Sequence, residues 1–484
     1  MDGRCDDRLT SLFERILLQR RANGFYGRFG DPGAAPGSNP CHLGARLFSG
    51  LVRYHQVTGD WRALEWAVEI SGELRRRKDE VLKNAGASFP PWIAEPGAHL
   101  FQITGEKEHL ELCAMTAEIM RGAAGKRIHT HGFLCALRGL QLATLYTGDP
   151  AWNELPEQYR REITGKRYDM PNGDVPETLR PGNYRNEGCA AADWMLLNLY
   201  AAAISGEPSL YDTVENILWN AIFFNQFITG GFGQRRLLPH GYGEWATEAW
   251  WCCTEHGGMA MADLARHVVT RRGKTVSVNL LIPGRFTVPV QGAPDVGVRI
   301  ATCYPETAEA VIDVDHLPPG VEVSVRVPAC VRGADVQRRQ QGDRLQIAVR
   351  GRVGYHLDEA GDRVVLKYGP LVMAPMACHW KVAPGESDEA IPAGYCPPSL
   401  PPGLPALLAG PADADGFIKL EYEPFPDWSY FDEGPNARCG VGHVSANVPV
   451  RFPGGAEKTL RFWPLCYFTS DLTVCETPIL FPKE

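Results

Sequence analysis

Four similar turn sequences divide the first half of the chain into helical segments. Apolar residues at helical spacing run into VTGDW at Thr58, ITGEK at Thr104, YTGDP at Thr147 and ISGEP at Ser205. Glycine can close a helix in the left-handed conformation, and the acidic residue after it suits the N-terminal end of the next helix. The turns recur roughly every 45 to 60 residues, the span of two helices. Repeated antiparallel helix pairs are therefore predicted, as a solenoid or a toroid.

After about residue 270 the helical spacing gives way to strand patterns. Segments such as VEVSVRVPAC, DRLQIAVRG and DRVVLKYGPLVM concentrate β-branched residues over short lengths bounded by Gly, Pro and Asp. The change predicts a helical domain over 1–270 and a β-sandwich over 271–382. A proline-rich passage that includes PPSLPPGLP then precedes a last strand-rich piece, so a linker and a second small β-sandwich are predicted over 383–484.

Composition and charge narrow the class of function. The chain has 484 residues, of which 44% are hydrophobic, and can bury the cores of two or three domains. Its net charge of -8 provides no basic field for a nucleic acid or an anionic membrane. No P-loop and no G-x-G-x-x-G after a strand is present, which disfavours nucleotide chemistry. A small neutral or polar substrate fits better, and a homodimer is compatible with the sequence.

The N-terminal sequence and the cysteines bear on location. The start, MDGRCDDRLTSLFERILLQRRANG, has no apolar run long enough for a signal peptide or a membrane span, and it reads as an amphipathic helix. A cytoplasmic location is therefore expected. The 14 cysteines have no regular spacing, which is typical of reduced buried thiols rather than of a disulfide framework.

Two short clusters combine thiols with carboxylates. Glu187 and Cys189 lie two apart in NEGC, where a long helix is predicted to begin, and Cys252 and Cys253 are adjacent in EAWWCCTEHG. Three thiolates and one carboxylate would suit tetrahedral Zn²⁺. Neither E-x-C nor C-C is the C-x-x-C pair typical of zinc sites, so spacing alone leaves a buried structural core as the alternative.

At these residues the sequence resembles the β-L-arabinofuranosidase-like glycoside hydrolases, family 127 and its relatives. That family has an E-x-C at a helix start and, some tens of residues later, a C-C. HTHGFLCALRGLQLATLYTGD resembles its histidine-bearing helix before a T-G-D turn, and DRVVLKYGPLVMAP resembles its sandwich strand ending in G-P-L-V. The resemblance covers most of the chain and implies an (α/α)6 toroid followed by one or two β-sandwich domains.

The resemblance also implies a metal site and a nucleophile. Carried onto this chain, the zinc ligands are Glu187, Cys189, Cys252 and Cys253, and Cys252 is the expected nucleophile. The implied function is a zinc-dependent retaining glycoside hydrolase that releases a terminal furanose, such as β-L-arabinofuranose, through a cysteine thioglycosyl intermediate.

The general acid/base is harder to place, because the chain departs from the family pattern here. TEH follows the C-C instead of P-P-N, and the segment before E-x-C does not align cleanly. Glu177 in DVPET is the favoured acid/base and Glu162 the second choice. Three further carboxylates stay open: Asp169, Asp174 and Glu255. For each the structural alternative is a solvated loop carboxylate.

Several residues are candidates for sugar binding. His129 and His131 in IHTHGF, His42 in NPCHLG and Glu95 in IAEPGAHLF begin predicted helices and would hydrogen-bond sugar hydroxyls. Their structural alternatives are helix caps and satisfied core positions.

Aromatic residues and one further histidine complete the set of candidates. Four tryptophans would either stack on sugar faces or fill the core: Trp92, Trp245, Trp250 and Trp251. His256 is predicted to orient a metal ligand.

Two rival functions remain open at the level of sequence. One is a toroid enzyme of the unsaturated glycuronyl hydrolase type, which needs neither zinc nor a nucleophile. The other is a non-catalytic carbohydrate-binding protein whose thiols hold a structural zinc.

Overall fold

A computed structural model describes most of the chain. It covers residues 7–20, 39–86, 91–122, 128–166, 168, 170–179, 186–227, 229–237, 243–248, 252–290, 292–375, 404–422, 444–467 and 479–483. Within these ranges only the backbone is described for 39–45, 84, 235–237, 243–248, 422 and 467.

Helices dominate up to about residue 270. They are α1 (Asp7–Leu17), α2 (Asn39–Thr58), α3 (Trp61–Arg76), α4 (Lys78–Asn84), α5 (Ala94–Thr104), α6 (Glu111–Arg121), α7 (Thr130–Thr147), α8 (Glu154–Gly165), α9 (Gly188–Ser205), α10 (Ser209–Ile217) and α11 (Cys253–His267). Among the described residues, no helix has both the length and the apolar character needed to cross a bilayer.

Strands dominate after about residue 270, and a few short ones occur earlier. Four short ones interrupt the helices: β1 (Ile128–His129), β2 (Thr178–Leu179), β3 (Gly233–Leu237) and β4 (Gly243–Glu248). The others are β5 (Val269–Arg272), β6 (Thr275–Val278), β7 (Gly284–Val288), β8 (Val296–Thr302), β9 (Ala310–Asp315), β10 (Glu322–Val325), β11 (Arg332–Gln341), β12 (Arg344–Arg352), β13 (Tyr355–Ala360), β14 (Arg363–Tyr368), β15 (Leu371–Pro375), β16 (Ala406–Leu407), β17 (Glu421–Tyr422), β18 (Ala446–Arg451), β19 (Glu457–Pro464) and β20 (Phe481–Pro482). The predicted order, helices followed by β-sheets, is confirmed.

The predicted glycine stops close four helices. Gly59, Gly105, Gly148 and Gly206 have φ angles of 73°, 76°, 74° and 76°. The amide of each donates to the carbonyl four residues earlier, at 2.7 to 2.8 Å. In the first of these turns the hydroxyl of Thr58 donates to a carbonyl of α2 and accepts from the amide of Asp60. Local sequence therefore determines where these helices end.

By internal contacts the chain forms two compact units. The first comprises Met1–Tyr168, Glu177–Asn183 and Ala203–Ser205, and the second comprises Asp169–Pro176, Tyr184–Ala202 and Gly206–Glu484. The domain boundaries predicted from sequence stay a prediction.

The first unit contains a close contact between α5 and α7. A Cβ added to Gly139 of α7 would lie 2.5 Å from the backbone nitrogen of Glu95 and 2.6 Å from the Cβ of Ala94. Only a glycine allows the two helices to approach this closely.

The strands of the second unit form three larger sheets. Their orders are β10-β6-β5, β11-β12-β9-β8-β7 and β13-β14-β15-β19-β18-β16, with β17 on β18 and β20 on β14. In the largest sheet β15 is buried along its whole length and pairs with β14 on one side and with β19 on the other. A fully buried strand needs partners on both sides to satisfy its backbone. The described strands after 383 therefore join a sheet that begins before the boundary predicted between 382 and 383.

The described cysteines are mostly reduced. Seven are free thiols, six of them buried, whereas Cys303 is disulfide-bonded. The expectation of scattered buried thiols holds for those six. A cytoplasmic location and a homodimer stay predictions.

The contact at Gly139 generates a prediction about stability. Gly139→Ala should lower the free energy of unfolding by about 1 to 3 kcal/mol, because the new methyl group meets backbone that cannot move away. Gly50→Ala in α2 is the control, since a Cβ there meets nothing within 4 Å. It should raise stability by about 0.5 to 1 kcal/mol. Urea unfolding followed by circular dichroism measures both, and an equal effect of the two substitutions would contradict the packing argument.

Candidate metal and catalytic site

The E-x-C motif is held in place by a close approach between α9 and β3. Glu187 precedes the helix in an extended conformation, with φ -131° and ψ 132°, and Cys189 lies in the first turn. Between them, a Cβ on Gly188 would lie 2.7 Å from the carbonyl oxygen of Gly233 and 3.4 Å from the Cβ of Cys253. The missing side chain at Gly188 therefore lets β3 and α11 pack directly against the start of α9.

The C-C motif lies at the start of α11, with Cys252 as the N-cap residue and Cys253 as the first helical residue, and it contacts the E-x-C motif. The Sγ atoms of Cys252 and Cys253 lie 3.7 Å apart, and that of Cys253 lies 3.7 Å from the Sγ of Cys189. The Oε2 atom of Glu187 lies 3.9 Å from the Sγ of Cys189. All four side chains are buried. The second unit thus brings the three thiols within 4.8 Å of one another, and Glu187 approaches this group beside Cys189.

The distances in this group suit a tetrahedral metal. A Zn–S bond of about 2.3 Å gives a sulfur–sulfur edge of about 3.8 Å in a tetrahedron. The observed separations of 3.7 Å match that edge, whereas a disulfide would need about 2.0 Å. Soft thiolates with one carboxylate favour Zn²⁺ among the common divalent ions. The residues present therefore fit a zinc ion.

Cys189 and Cys253 resist ionisation when they carry no metal. Burial, followed by hydrogen bonds with Cys252 and Cys253, raises the pKa of Cys189 well above its usual range. The hydrogen bond with Cys189 lowers the pKa of Cys253, but the one with Cys252 and burial outweigh it, so that the pKa rises to about 12. A bound cation is the group that would convert these thiols to thiolates at neutral pH.

One further residue contacts the candidate ligands and was missed in the sequence. The Nε2 atom of Gln234, on β3, donates to the Oε1 atom of Glu187 at 2.7 Å, and both side chains are buried. Gln234 belongs to no motif. Its role arises from the packing of β3 against α9, which local sequence does not reveal.

His256 forms a buried pair with Asp193. Its Nδ1 atom lies 3.1 Å from the Oδ1 atom of Asp193, and its backbone amide donates to the carbonyl of Cys252 at 3.0 Å. The pair joins α11 to α9, the two helices that carry the thiols. Hydrogen bonding of this kind orients the helices, and a direct contact of His256 with a ligand side chain stays a prediction.

Asp174 is a buried carboxyl beside the E-x-C motif. It accepts hydrogen bonds from Asn186 at 2.6 Å, from the amide of Val175 at 2.8 Å and from Asn225 at 3.4 Å. Burial raises its pKa to about 7, although these hydrogen bonds lower it. Asn186 directly precedes Glu187, so Asp174 helps to fix the entry of the chain into α9.

The remaining acid candidates differ in their surroundings. Glu162, on α8, forms an ion pair with Lys166 one turn later, which is typical of a solvated helix surface. Glu255 is exposed in the first turn of α11. Asp169 lies outside the described residues.

In the first unit, Glu177 lies beside His129. Strand β1 pairs with β2, so that His129 is opposite Thr178, and the amide of Thr130 donates to the carbonyl of Glu177 at 2.8 Å. A ring nitrogen of His129 and a carboxylate oxygen of Glu177 lie within 4.8 Å of each other. His129 also caps α7, because its Nδ1 atom accepts from the amide of Gly132. A carboxyl and an imidazole are thus placed together at the start of α7.

His131 and Trp92 pack together near the same helix start. Their ring centroids lie 4.9 Å apart in an edge arrangement, and the indole donates to the carbonyl of Gly132 at 3.2 Å. The guanidinium of Arg46 lies 4.7 Å from the centre of the Trp92 ring. His131 is buried, with the Sγ atom of Cys135 3.7 Å from its Nδ1 atom. These contacts support a packing role for Trp92.

Glu95 forms a buried ion pair. Its Oε2 atom accepts from Arg138, with the Nε atom at 3.0 Å, and its Oε1 atom accepts from Arg53 at 3.1 Å. Burial would raise the pKa of Glu95, but the charges of Arg138 and Arg53 and a hydrogen bond with His99 hold it well below its usual range. Both oxygens are therefore engaged within the first unit, and sugar binding by Glu95 stays a prediction.

Four further candidates cannot be placed. Of His42 and Trp245 only the backbone is described, and Trp250 and Trp251 lie outside the described residues.

No protein-family profile matches the chain, and no curated protein matches it. Solved structures do. One is a glycoside hydrolase family 127 β-L-arabinofuranosidase from Geobacillus stearothermophilus T6, with a TM-score of 0.69 and 14% identity over 99% of this chain and 87% of that one. A family 127 β-arabinofuranosidase has a TM-score of 0.68 and 13% identity over 99% and 85%. A third structure, described as a glycoside hydrolase, has a TM-score of 0.68 and 16% identity, over 99% of this chain and 89% of that one.

These likenesses extend over almost the whole chain. At 13 to 16% identity they show the fold. The resemblance to family 127 and the α-then-β fold class are thereby confirmed, while activity and substrate require evidence from the site.

The thiol group generates a prediction about metal content. The purified protein should carry about one zinc per chain, and Cys189→Ala or Glu187→Ala should lose most of it, because each removes a ligand of a four-ligand site. Cys113→Ala is the matched control, since Cys113 is a buried free thiol whose Sγ atom donates to the carbonyl of Ala94. Metal analysis of the folded variants gives the result. Full zinc retention in both ligand variants would remove this site from consideration.

The raised pKa of Asp174 generates a prediction about pH. The folded protein keeps a proton that the unfolded carboxyl has released, so this stabilising contribution is complete below the ordinary value of 3.8 and is lost as pH rises through about 7. Asparagine resembles the protonated acid and does not titrate. Relative to the wild type, Asp174→Asn should therefore gain about 1 to 3 kcal/mol of stability between pH 5 and pH 8. Urea unfolding of both proteins at equal zinc content checks this. If the free energies of unfolding of the wild type and of Asp174→Asn change with pH in parallel, the prediction is contradicted.

Proposed function

We propose that the protein is a zinc-dependent retaining glycoside hydrolase with a cysteine nucleophile. The observation that carries the proposal is the buried group of Glu187, Cys189, Cys252 and Cys253, in which the Sγ atom of Cys253 lies 3.7 Å from those of Cys189 and Cys252. That distance matches the sulfur–sulfur edge of a tetrahedral zinc site. The likeness of the fold to family 127 enzymes supports it.

Cys252 acts as the nucleophile. Bound zinc would keep its thiol deprotonated at neutral pH. Its sulfur attacks the anomeric carbon, the bond to the leaving oxygen breaks, and a thioglycosyl intermediate forms. Water then attacks the same carbon and restores the thiolate, so that two inversions retain the configuration. Cys252 is 7% exposed, whereas Cys253 and Cys189 are fully buried, which supports this choice among the three.

Glu177 acts as the general acid and then as the general base. It gives its proton to the leaving oxygen in the first step and takes one from water in the second. The nearby His129 and the half-buried position support this role, because both set it apart from a solvated surface carboxylate. Glu162 is the weaker candidate, since Lys166 already pairs with it on the helix surface.

The proposed substrate is a small carbohydrate with a terminal furanose resembling β-L-arabinofuranose. Two of the similar solved structures are described as arabinofuranosidases, one of them as a β-L-arabinofuranosidase. His129 and His131 would hydrogen-bond hydroxyl groups of the sugar, and the net charge of -8 suits a neutral ligand.

A structural zinc is the rival explanation of the same group. Four protein ligands close a site, and closed sites are usually structural. A glycuronyl hydrolase type of enzyme is less well supported, since its chemistry would leave three converging buried thiols without a role. Activity and metal content must therefore be measured on the same sample.

The nucleophile can be identified by covalent trapping. With a slow-turnover fluorosugar or an epoxide analogue, the wild type should gain the mass of the sugar on Cys252, and Cys252→Ser should gain none. Turnover of that variant should fall by several orders of magnitude, because a serine hydroxyl replaces the thiolate poorly. Cys113→Ser is the control and should leave turnover unchanged.

Other outcomes would each revise the mechanism in a defined way. A label on Cys253 would exchange the roles of the two cysteines, and a label on Glu177 would make a carboxylate the nucleophile. Inversion at the anomeric carbon, seen by proton NMR at early times, would exclude every covalent version. Zinc without activity on any furanoside would favour the structural rival.

A further inference from the structure

We infer that Gln234 is a positioning residue that restricts Glu187 to binding metal through one oxygen. The inference rests on the proposed zinc site. It concerns how the carboxylate is presented to the metal, which neither the E-x-C nor the C-C motif specifies.

The two oxygens of Glu187 have different surroundings. Oε1 accepts a hydrogen bond from the Nε2 atom of Gln234 at 2.7 Å. Oε2 lies on the side of the thiols, 3.9 Å from the Sγ of Cys189. A carboxylate of this kind offers one oxygen to the metal, because the other is already occupied by an amide donor.

The backbone that leads into Gln234 contacts α9, α11 and the segment that follows α10. Gly233 directly precedes Gln234, and its amide donates to the carbonyl of Asn225 at 3.1 Å. One residue earlier, the amide of Phe232 donates to the hydroxyl of Thr254 on α11 at 2.9 Å. The carbonyl of Gly233 also lies against the start of α9 at Gly188. The backbone that carries Gln234 is therefore anchored beside both motifs.

The hydrogen bond from Gln234 to Glu187 would limit the coordination number of a bound metal. A carboxylate without a second partner can coordinate through both oxygens, which would raise the coordination number above four. Hydrogen bonding to Oε1 opposes that change and holds Oε2 toward the thiols. A tetrahedral site that includes Cys252 would therefore depend on Gln234, which does not itself bind the metal.

The test uses cobalt in place of zinc, because the visible absorption of Co²⁺ reports coordination number. The full-length protein is loaded with Co²⁺, and its affinity is measured against a competing chelator. Gln234→Met keeps the length of the side chain and removes the donor. We expect about 10- to 100-fold weaker metal binding and a loss of the intense tetrahedral absorption bands.

Gln226→Leu is the matched control, since the Gln226 amide donates to the carbonyl of Gly230 at the long distance of 3.5 Å. It should leave both the spectrum and the affinity unchanged. Gln234→Asn is a second variant that stays polar but falls one methylene short of Glu187. It should behave like Gln234→Met, and it carries the test if the methionine variant does not fold.

The outcomes separate this inference from the proposed function. A wild type that binds neither zinc nor cobalt would overturn both. If the wild type binds metal tetrahedrally and the folded Gln234 variants keep the same affinity and spectrum, only the role of Gln234 is overturned.

Discussion

The close approach at Gly188 is the constraint on which the candidate site depends. A side chain there would collide with the carbonyl of Gly233, which a Cβ would approach to 2.7 Å. Because that position is empty, β3 and the start of α11 pack directly on the first turn of α9. The same contact therefore brings Cys253 to Cys189 and places Gln234 beside Glu187. The absence of a side chain at Gly188 is therefore what permits these groups to lie so close together.

Burying so many polar groups in one region requires a partner for each. An unpaired buried carboxylate is strongly unfavourable. Asp193 has His256, Glu187 has Gln234, and Asp174 has three hydrogen-bond donors and a pKa raised to about 7. Among the thiols, the Sγ atom of Cys253 lies against those of Cys189 and Cys252. In the proposed function, a bound cation would convert these thiols to thiolates.

Sequence alone predicted the features that depend on neighbours along the chain. Local backbone preferences account for the helix ends at Gly59, Gly105, Gly148 and Gly206. The periodicity of apolar residues accounts for the change from helices to strands near residue 270. The four candidate ligands were found through a family resemblance, not through spacing. Gln234 and the environment of Asp174 were not found, because they depend on contacts between distant segments. The pairing of β15 with β19 was missed for the same reason, as a proline-rich passage separates them in sequence but not in the sheet.

The three thiols are not equivalent, and the difference follows from the backbone that carries them. Cys189 and Cys253 lie within the first turns of helices, so helical hydrogen bonding restricts their Cα–Cβ directions. Cys252 precedes α11 with a non-helical backbone, at φ -130° and ψ -59°. A nucleophile must move toward the anomeric carbon during reaction, whereas a ligand should stay in place. In the proposed mechanism, Cys189 and Cys253 would hold the metal from within helical turns, while Cys252, at the N-cap position of α11, would attack. This difference supports Cys252 over Cys253 on grounds independent of the resemblance that first suggested it.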